Sequence, residues 1–92
     1  MRIIGYIDNK DFKITVFQNN NRFLIKFEDS YFEQTYKFMQ SDHIKHFKDI
    51  EKLVDLQFIL EVRNTFLKMY DDKEKMIQRF IQFESDDLIE II

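Results

Sequence analysis

The spacing of apolar residues changes once along this chain, from alternation in the first forty residues to a three-or-four-residue repeat in the rest. Alternation is the period of a half-buried β-strand, whereas the longer repeat is that of an amphipathic helix. Turn-forming Asn and Asp residues separate four alternating segments, and such short connections favour antiparallel pairing. We therefore predict an α+β fold, with a four-stranded antiparallel β-meander over about residues 2–39 and two or three helices packed on one face over about 43–84.

The length and composition of the chain narrow its class. Its 92 residues, 45% of them hydrophobic, predict a single small domain spanning 1–92. The absence of cysteine excludes disulfide scaffolds, thiolate zinc sites and cysteine nucleophiles. No apolar run approaches the roughly 18–20 residues of a membrane-spanning helix. The apolar stretch at the start of the sequence is interrupted by charged residues too early for a secretory signal. We expect a cytoplasmic protein that does not enter a membrane.

The sequence contains few residues that could carry chemistry. A single glycine is too few for a phosphate-binding loop or a glycine-flanked serine nucleophile. His43 and His46, with Asp42 and Asp49 nearby, have the spacing of metal ligands on a helix. Because no second donor cluster completes such a site, we interpret both histidines as caps or surface residues of a helix's first turn. We expect no catalytic residue, no cofactor and no metal.

The strand pattern also predicts a sheet face that turns away from the helices. This open face mixes basic and aromatic side chains, as sheets that stack single-stranded bases do. An alternative function is therefore a module that contacts nucleic acid, although the net charge of -3 disfavours that partner. The residues for this role are Tyr6, Phe17, Tyr31, Lys13 and Lys26, and the register of the first strand adds Arg2 and Ile4 to the same face.

Gln34 is a polar residue that the strand pattern assigns to the core face. A buried amide needs hydrogen-bond partners. A small-ligand pocket between sheet and helices would supply them, and so would a local backbone group or a position at the edge of a strand. A small ligand-binding domain is therefore a further alternative.

The second half of the chain carries a long apolar stripe at heptad spacing, which Lys73 interrupts. More apolar residues flank the stripe, so that the helix is apolar over more than half its circumference, a wider face than one sheet of four strands covers. The stripe consists of Ile59, Val62, Phe66, Met69, Met76, Phe80 and Phe83, and the flanking residues are Phe58, Leu67, Tyr70, Ile77 and Ile81.

The length of this segment leaves two alternatives. As one helix, residues 55–83 would be about 43 Å long, whereas a compact domain of this size is roughly 30 Å across. One solution is a break at Tyr70–Asp72, where Asp71 and Glu74 have the spacing of a capping box. The other is a continuous helix that pairs with another chain.

We accordingly predict a non-enzymatic cytosolic protein-interaction module that self-associates through residues 55–83 as a homodimer, or binds another protein. Lys73 and Arg79 would set the register through charges at the rim of the contact. The acidic, aliphatic end of the chain, residues 85–92, is expected to dock within or between chains. The predicted interface residues are Phe66, Met69, Tyr70, Met76, Ile77 and Phe80.

Overall fold

A computed structural model describes the backbone of residues 1–91 and the side chains of residues 1–84. The described residues form a four-stranded antiparallel sheet followed by helices, which confirms the α+β class. They contain two helices, of which the second has 36 residues. The elements are β1 (Arg2–Ile7), β2 (Lys13–Asn19), β3 (Arg22–Glu28), β4 (Glu33–Met39), α1 (Phe47–Leu53) and α2 (Leu56–Ile91).

The sheet is a meander in which each strand pairs with its neighbour in sequence, in the order β1-β2-β3-β4. Asn20 and Asn21 alone connect β2 to β3, because Asn19 still pairs with Arg22. Asn20 has a φ of 58°, the left-handed conformation that tight hairpin turns need and that Asn adopts more readily than other non-glycine residues.

Side-chain oxygens close the other two sheet turns. The Asn9 carboxamide accepts a hydrogen bond from the backbone N–H of Phe12 at 3.2 Å. The Asp29 carboxylate accepts one from the backbone N–H of Phe32 at 2.8 Å. In a chain with almost no glycine, these short side chains satisfy the backbone groups that a turn leaves unpaired.

The first strand contains a bulge that the sequence pattern does not reveal. The pairing shifts between Ile3 and Gly5, so that Ile4 is the extra residue. Ile3 therefore pairs with Phe17, which lies on the open face of the sheet. Gly5 pairs with Val16, which faces the helices. The predicted open-face set is wrong at two positions, because the bulge places Ile3 with Tyr6 on that face and removes Arg2 and Ile4 from it.

The core of the first compact unit, Met1–Val62, is built from one face of β2 and β3 and from both helices. The two strands place large apolar side chains on the same face, where the register sets Ile14 opposite Phe27 and Val16 opposite Ile25. The buried apolar residues of this unit are Ile14, Val16, Phe23, Ile25, Phe27, Ile50, Val54 and Val62.

The first helix begins at Phe47, later than the predicted start near residue 43. The Ser41 hydroxyl accepts a hydrogen bond from the backbone N–H of Ile44 at 3.2 Å, which holds this segment in a turn. His46 is the N-cap residue in an extended conformation. The Asp49 carboxylate accepts the backbone N–H of His46 at 3.0 Å, and this bond defines where the helix starts.

The second helix begins at Leu56. The carboxylate of the preceding residue, Asp55, accepts a hydrogen bond from the backbone N–H of Phe58 at 2.8 Å and so caps the helix. Its residues from Arg63 onward form the second compact unit of the chain. No helix in the described part of the chain is both long and apolar enough to cross a membrane. The predicted docking of residues 85–92 concerns side chains that lie outside the described residues.

The helix continues through Asp71 and Asp72, so the predicted break there does not occur. Both carboxylates instead pair with lysines one turn away on the same helix. Asp72 lies 3.0 Å from the Lys68 ammonium, and Asp71 lies 2.9 Å from that of Lys75. Oppositely charged side chains one turn apart support a helix interior.

Candidate protein-interaction surface

The second compact unit, Arg63–Ile92, presents apolar side chains to solvent along α2. Among them, Met76 is 57% exposed, Phe80 59% and Phe83 64%. Scattered apolar residues are common on protein surfaces, whereas large contiguous apolar patches are typical of interaction sites. The exposed large apolar residues of the described part of this unit are Leu67, Tyr70, Met76, Ile77, Phe80, Ile81 and Phe83.

These residues follow two adjacent stripes on α2. Each stripe repeats at heptad spacing, so its members stay on one side of the helix. We call Met69, Met76, Phe80 and Phe83 the first stripe, and Leu60, Leu67, Tyr70, Ile77 and Ile81 the second stripe. In the second stripe, Leu60 is also exposed, although it was not among the flanking residues that the sequence analysis named.

The predicted interface residues differ in their exposure. Phe66 is 3% exposed, so its side chain is not available to a partner in this conformation of the chain. Met69 is half-buried. The remaining four are exposed, and they are Tyr70, Met76, Ile77 and Phe80.

The opposite side of α2 carries paired charges. The hydrogen bond from Lys75 to Asp71 raises the pKa of the lysine above its ordinary value of 10.5. Of the two predicted rim residues, Lys73 is half-buried and Arg79 is exposed. The helix therefore has an apolar sector and a separate polar sector, the arrangement of an amphipathic helix.

The open face of the sheet brings together four of the five residues predicted to contact nucleic acid. Tyr6, Lys13, Phe17 and Lys26 lie on that face by the strand register, and Tyr31 lies in the β3–β4 turn. Tyr6 and Tyr31 are exposed.

Lys26 on this face is already paired with carboxylates. Its ammonium lies 3.1 Å from Glu33 and 3.7 Å from Glu28, and the hydrogen bond to Glu33 raises the pKa of Lys26 above 10.5. A phosphate would have to compete with two acids for this charge. The nucleic-acid role stays a prediction, and this contact counts against it.

Gln34 joins the sheet to the start of α2. Its Nε2 donates to the backbone carbonyl of Val62 at 3.0 Å, and its Oε1 accepts from the Tyr36 hydroxyl at 2.8 Å. Tyr36 in turn packs edge-on against Phe27 and Phe58, at centroid distances of 5.9 and 5.1 Å. The buried amide therefore has partners within the chain, and one of them is 28 residues away rather than local.

The two histidines lie at the start of α1. The Asp49 carboxylate beside them accepts backbone hydrogen bonds from Lys45 and His46, which lower its pKa below the ordinary value of 3.8. Within the described part of the chain, no group of three histidine or acidic side chains is placed to hold a metal ion. The arrangement serves as a helix cap.

Comparison of the chain with protein-family models, with curated proteins and with solved structures finds no match. The functional argument therefore depends on the surfaces of the molecule itself.

Proposed function

We propose that this protein is a non-enzymatic interaction module that self-associates through the apolar sector of α2. The observation that carries the proposal is the exposure of two neighbouring apolar stripes on one continuous helix. A helix that is apolar on one side normally buries that side against a core, a membrane or another helix. In the described part of the second unit, most of that side is exposed.

The free energy available from burying these apolar side chains supports association. Burying one fully exposed large apolar side chain stabilises by about 1.5–3 kcal/mol, and partly exposed ones contribute proportionally less. Association costs about 4–15 kcal/mol in lost translational and rotational freedom. The seven exposed large apolar side chains on this unit, contributed by each of two chains, provide a stabilisation of the same order as that cost.

The polar sector of the helix favours a protein partner over a lipid surface. Helices that lie on membranes are rich in Lys and Arg on the polar face. Here, the lysines Lys68 and Lys75 are each paired with an aspartate. A lipid headgroup would find these cations already neutralised, whereas a second helix needs only the apolar sector.

A charge introduced into the apolar sector tests the proposal. Met76→Glu places a carboxylate among exposed apolar residues, and Gln82→Glu introduces the same group at an exposed polar position of the same helix. Sedimentation equilibrium should give wild type and Gln82→Glu a mass twice the 11.5 kDa of one chain. Met76→Glu should sediment as a monomer over the same concentration range.

The sedimentation of the wild-type protein alone can contradict the proposal. If the wild-type protein sediments at the mass of one chain up to its solubility limit, the proposal of self-association is wrong. Circular dichroism of each variant confirms that the helix is retained, so that a change in mass reports association and not unfolding.

A further inference from the structure

Burial changes along one line of α2. The first stripe extends towards the start of the helix, at the same heptad spacing, through Phe66 and Val62. Val62 is 0% and Phe66 is 3% exposed, whereas Phe80 and Phe83 further along the same line are 59% and 64% exposed. One side of the helix is therefore covered by the chain itself near the start and exposed in the later turns that the structure describes.

This change in burial limits how two copies can pair through the helix. The axes of two packed helices lie only about 8–10 Å apart, so little besides their own side chains fits between them. In a parallel pair with two-fold symmetry, each residue of the stripe lies beside its own copy. The two Phe66 side chains would then lie at the same end, and the groups that bury each of them would have to share that gap. A parallel pair along the stripe would therefore uncover both phenylalanines.

An antiparallel pair avoids this conflict, because the covered ends of its two helices lie at opposite ends of the contact. We infer that two copies of this chain associate through antiparallel α2 helices, which overlap over their exposed turns from Leu67 onward. The two-fold axis passes through the turns between Met76 and Phe83. This inference rests on the proposed self-association and adds the orientation of the helices and the turns that they share.

The exposed turns offer a suitable area of apolar surface. A fully exposed large apolar side chain presents about 200 Å², so the seven exposed ones in the described part of this unit offer roughly 700 Å² per chain. A stable interface of standard size buries about 800 Å² per partner. The apolar side chains alone come close to that area, and the polar atoms beside them supply the rest.

A parallel pair that crosses at a steep angle is the competing arrangement. Helices that cross at about 50° diverge on both sides of the contact, which would keep the two covered ends apart. The contact is then confined to the turns around the crossing point. Because the exposed apolar residues extend from Leu67 to Phe83, such a pair leaves more of them in water than an antiparallel pair that runs along the helix.

A distance measurement tests the orientation. Because the chain has no cysteine, Asn64→Cys and Gln82→Cys each introduce a single site for a spin label. Both residues are exposed, and they lie about five turns apart on the same line of the polar sector. In the antiparallel dimer, the labels at position 64 are at least about 35 Å apart along the helix axis, and those at position 82 at most about 20 Å. Pulsed electron resonance should therefore give the longer distance at position 64, whereas a parallel dimer in register gives equal distances.

A matched pair of charge substitutions tests which turns overlap. Leu60 and Ile81 both belong to the second stripe and are 48% and 56% exposed, but Leu60 precedes the overlapping turns. Ile81→Glu buries a carboxylate in the contact and should weaken dimerisation about ten-fold or more in sedimentation equilibrium. Leu60→Glu introduces the same charge outside the contact, and its dimerisation constant should stay within about three-fold of wild type.

These experiments separate the two proposals. A monomeric wild type overturns self-association itself. A dimer with equal distances at positions 64 and 82 overturns the antiparallel orientation and leaves self-association standing. A dimer that Leu60→Glu weakens as much as Ile81→Glu overturns the overlap from Leu67 onward. Circular dichroism of each variant verifies that the helix is retained.

Discussion

The ring of Phe47 in α1 occupies the space that a side chain at Gly5 of β1 would need. A Cβ built on this glycine would lie 2.5 Å from Cε2 and 2.7 Å from Cζ of that ring. Gly5 has no positive φ, so close packing, and not backbone conformation, requires the absence of a side chain. The only glycine of the chain thus allows α1 to approach the first strand.

Gly5→Ala should therefore destabilise the fold. The added methyl group forces the Phe47 ring to move, and overpacking of this kind costs about 1–3 kcal/mol in the free energy of unfolding. Urea denaturation measures the change. Gly5→Ala combined with Phe47→Leu should lose less than the sum of the two single changes, because the smaller side chain makes room. Strict additivity would contradict the contact.

Asn20→Ala should destabilise the β2–β3 hairpin. Alanine lacks the tolerance of asparagine for a φ of 58°, and we expect a loss of about 1 kcal/mol. Asn20→Gly should be at least as stable as Asn20→Ala, since glycine adopts this conformation without steric cost. Asn21→Ala, the neighbouring change at a residue without positive φ, is the control and should cost less in thermal unfolding.

The hydrogen bond between Gln34 and Tyr36 should appear as a coupling energy. Tyr36→Phe removes the hydroxyl that donates to Gln34 and should cost about 0.5–1.5 kcal/mol. In a Gln34→Leu background, the same change should cost much less, because the acceptor is already gone. Equal costs of Tyr36→Phe in both backgrounds, measured by urea denaturation, would show that the bond contributes nothing.

The cap of α1 should give the stability a specific pH dependence. Hydrogen bonds from the backbone of Lys45 and His46 lower the pKa of Asp49 below 3.8 in the folded chain. A lowered pKa contributes stability above pH 3.8, and this contribution is lost as the pH falls through the folded-state pKa. The stability difference between wild type and Asp49→Ala should therefore be constant near pH 6 and shrink as the pH falls below 3.8. A difference that grows on acidification would exclude this role.

Local patterns were sufficient to predict the sheet. Alternation marks the four strands, and Asn and Asp mark the three turns, because both signals act over a few neighbouring residues. The bulge at Ile4 could not be predicted in this way. It lies beside Gly5, which packs against Phe47, a residue far away in the sequence.

In the helical half of the chain, local sequence patterns were also insufficient for prediction. Asp71 and Glu74 have the local signature of a helix start, but a cap contributes only about 1 kcal/mol. The surrounding residues are helix formers, and Lys68 and Lys75 pair with the aspartates along a continuous helix. The burial of Phe66 likewise could not be predicted from the heptad pattern. The spacing identifies the residues of a stripe but does not show which of them are buried.

The connectivity of the sheet has a consequence for how fast the chain folds. Each strand pairs with the next in sequence, so the sheet can form one hairpin at a time, with small loop-closure costs. Mixed domains of helices and strands fold faster than all-β domains dominated by non-local pairings. The longer-range steps in the first unit are the packing of Phe47 against Gly5 and the bond from Gln34 to Val62. We expect these steps to limit the rate at which that unit forms.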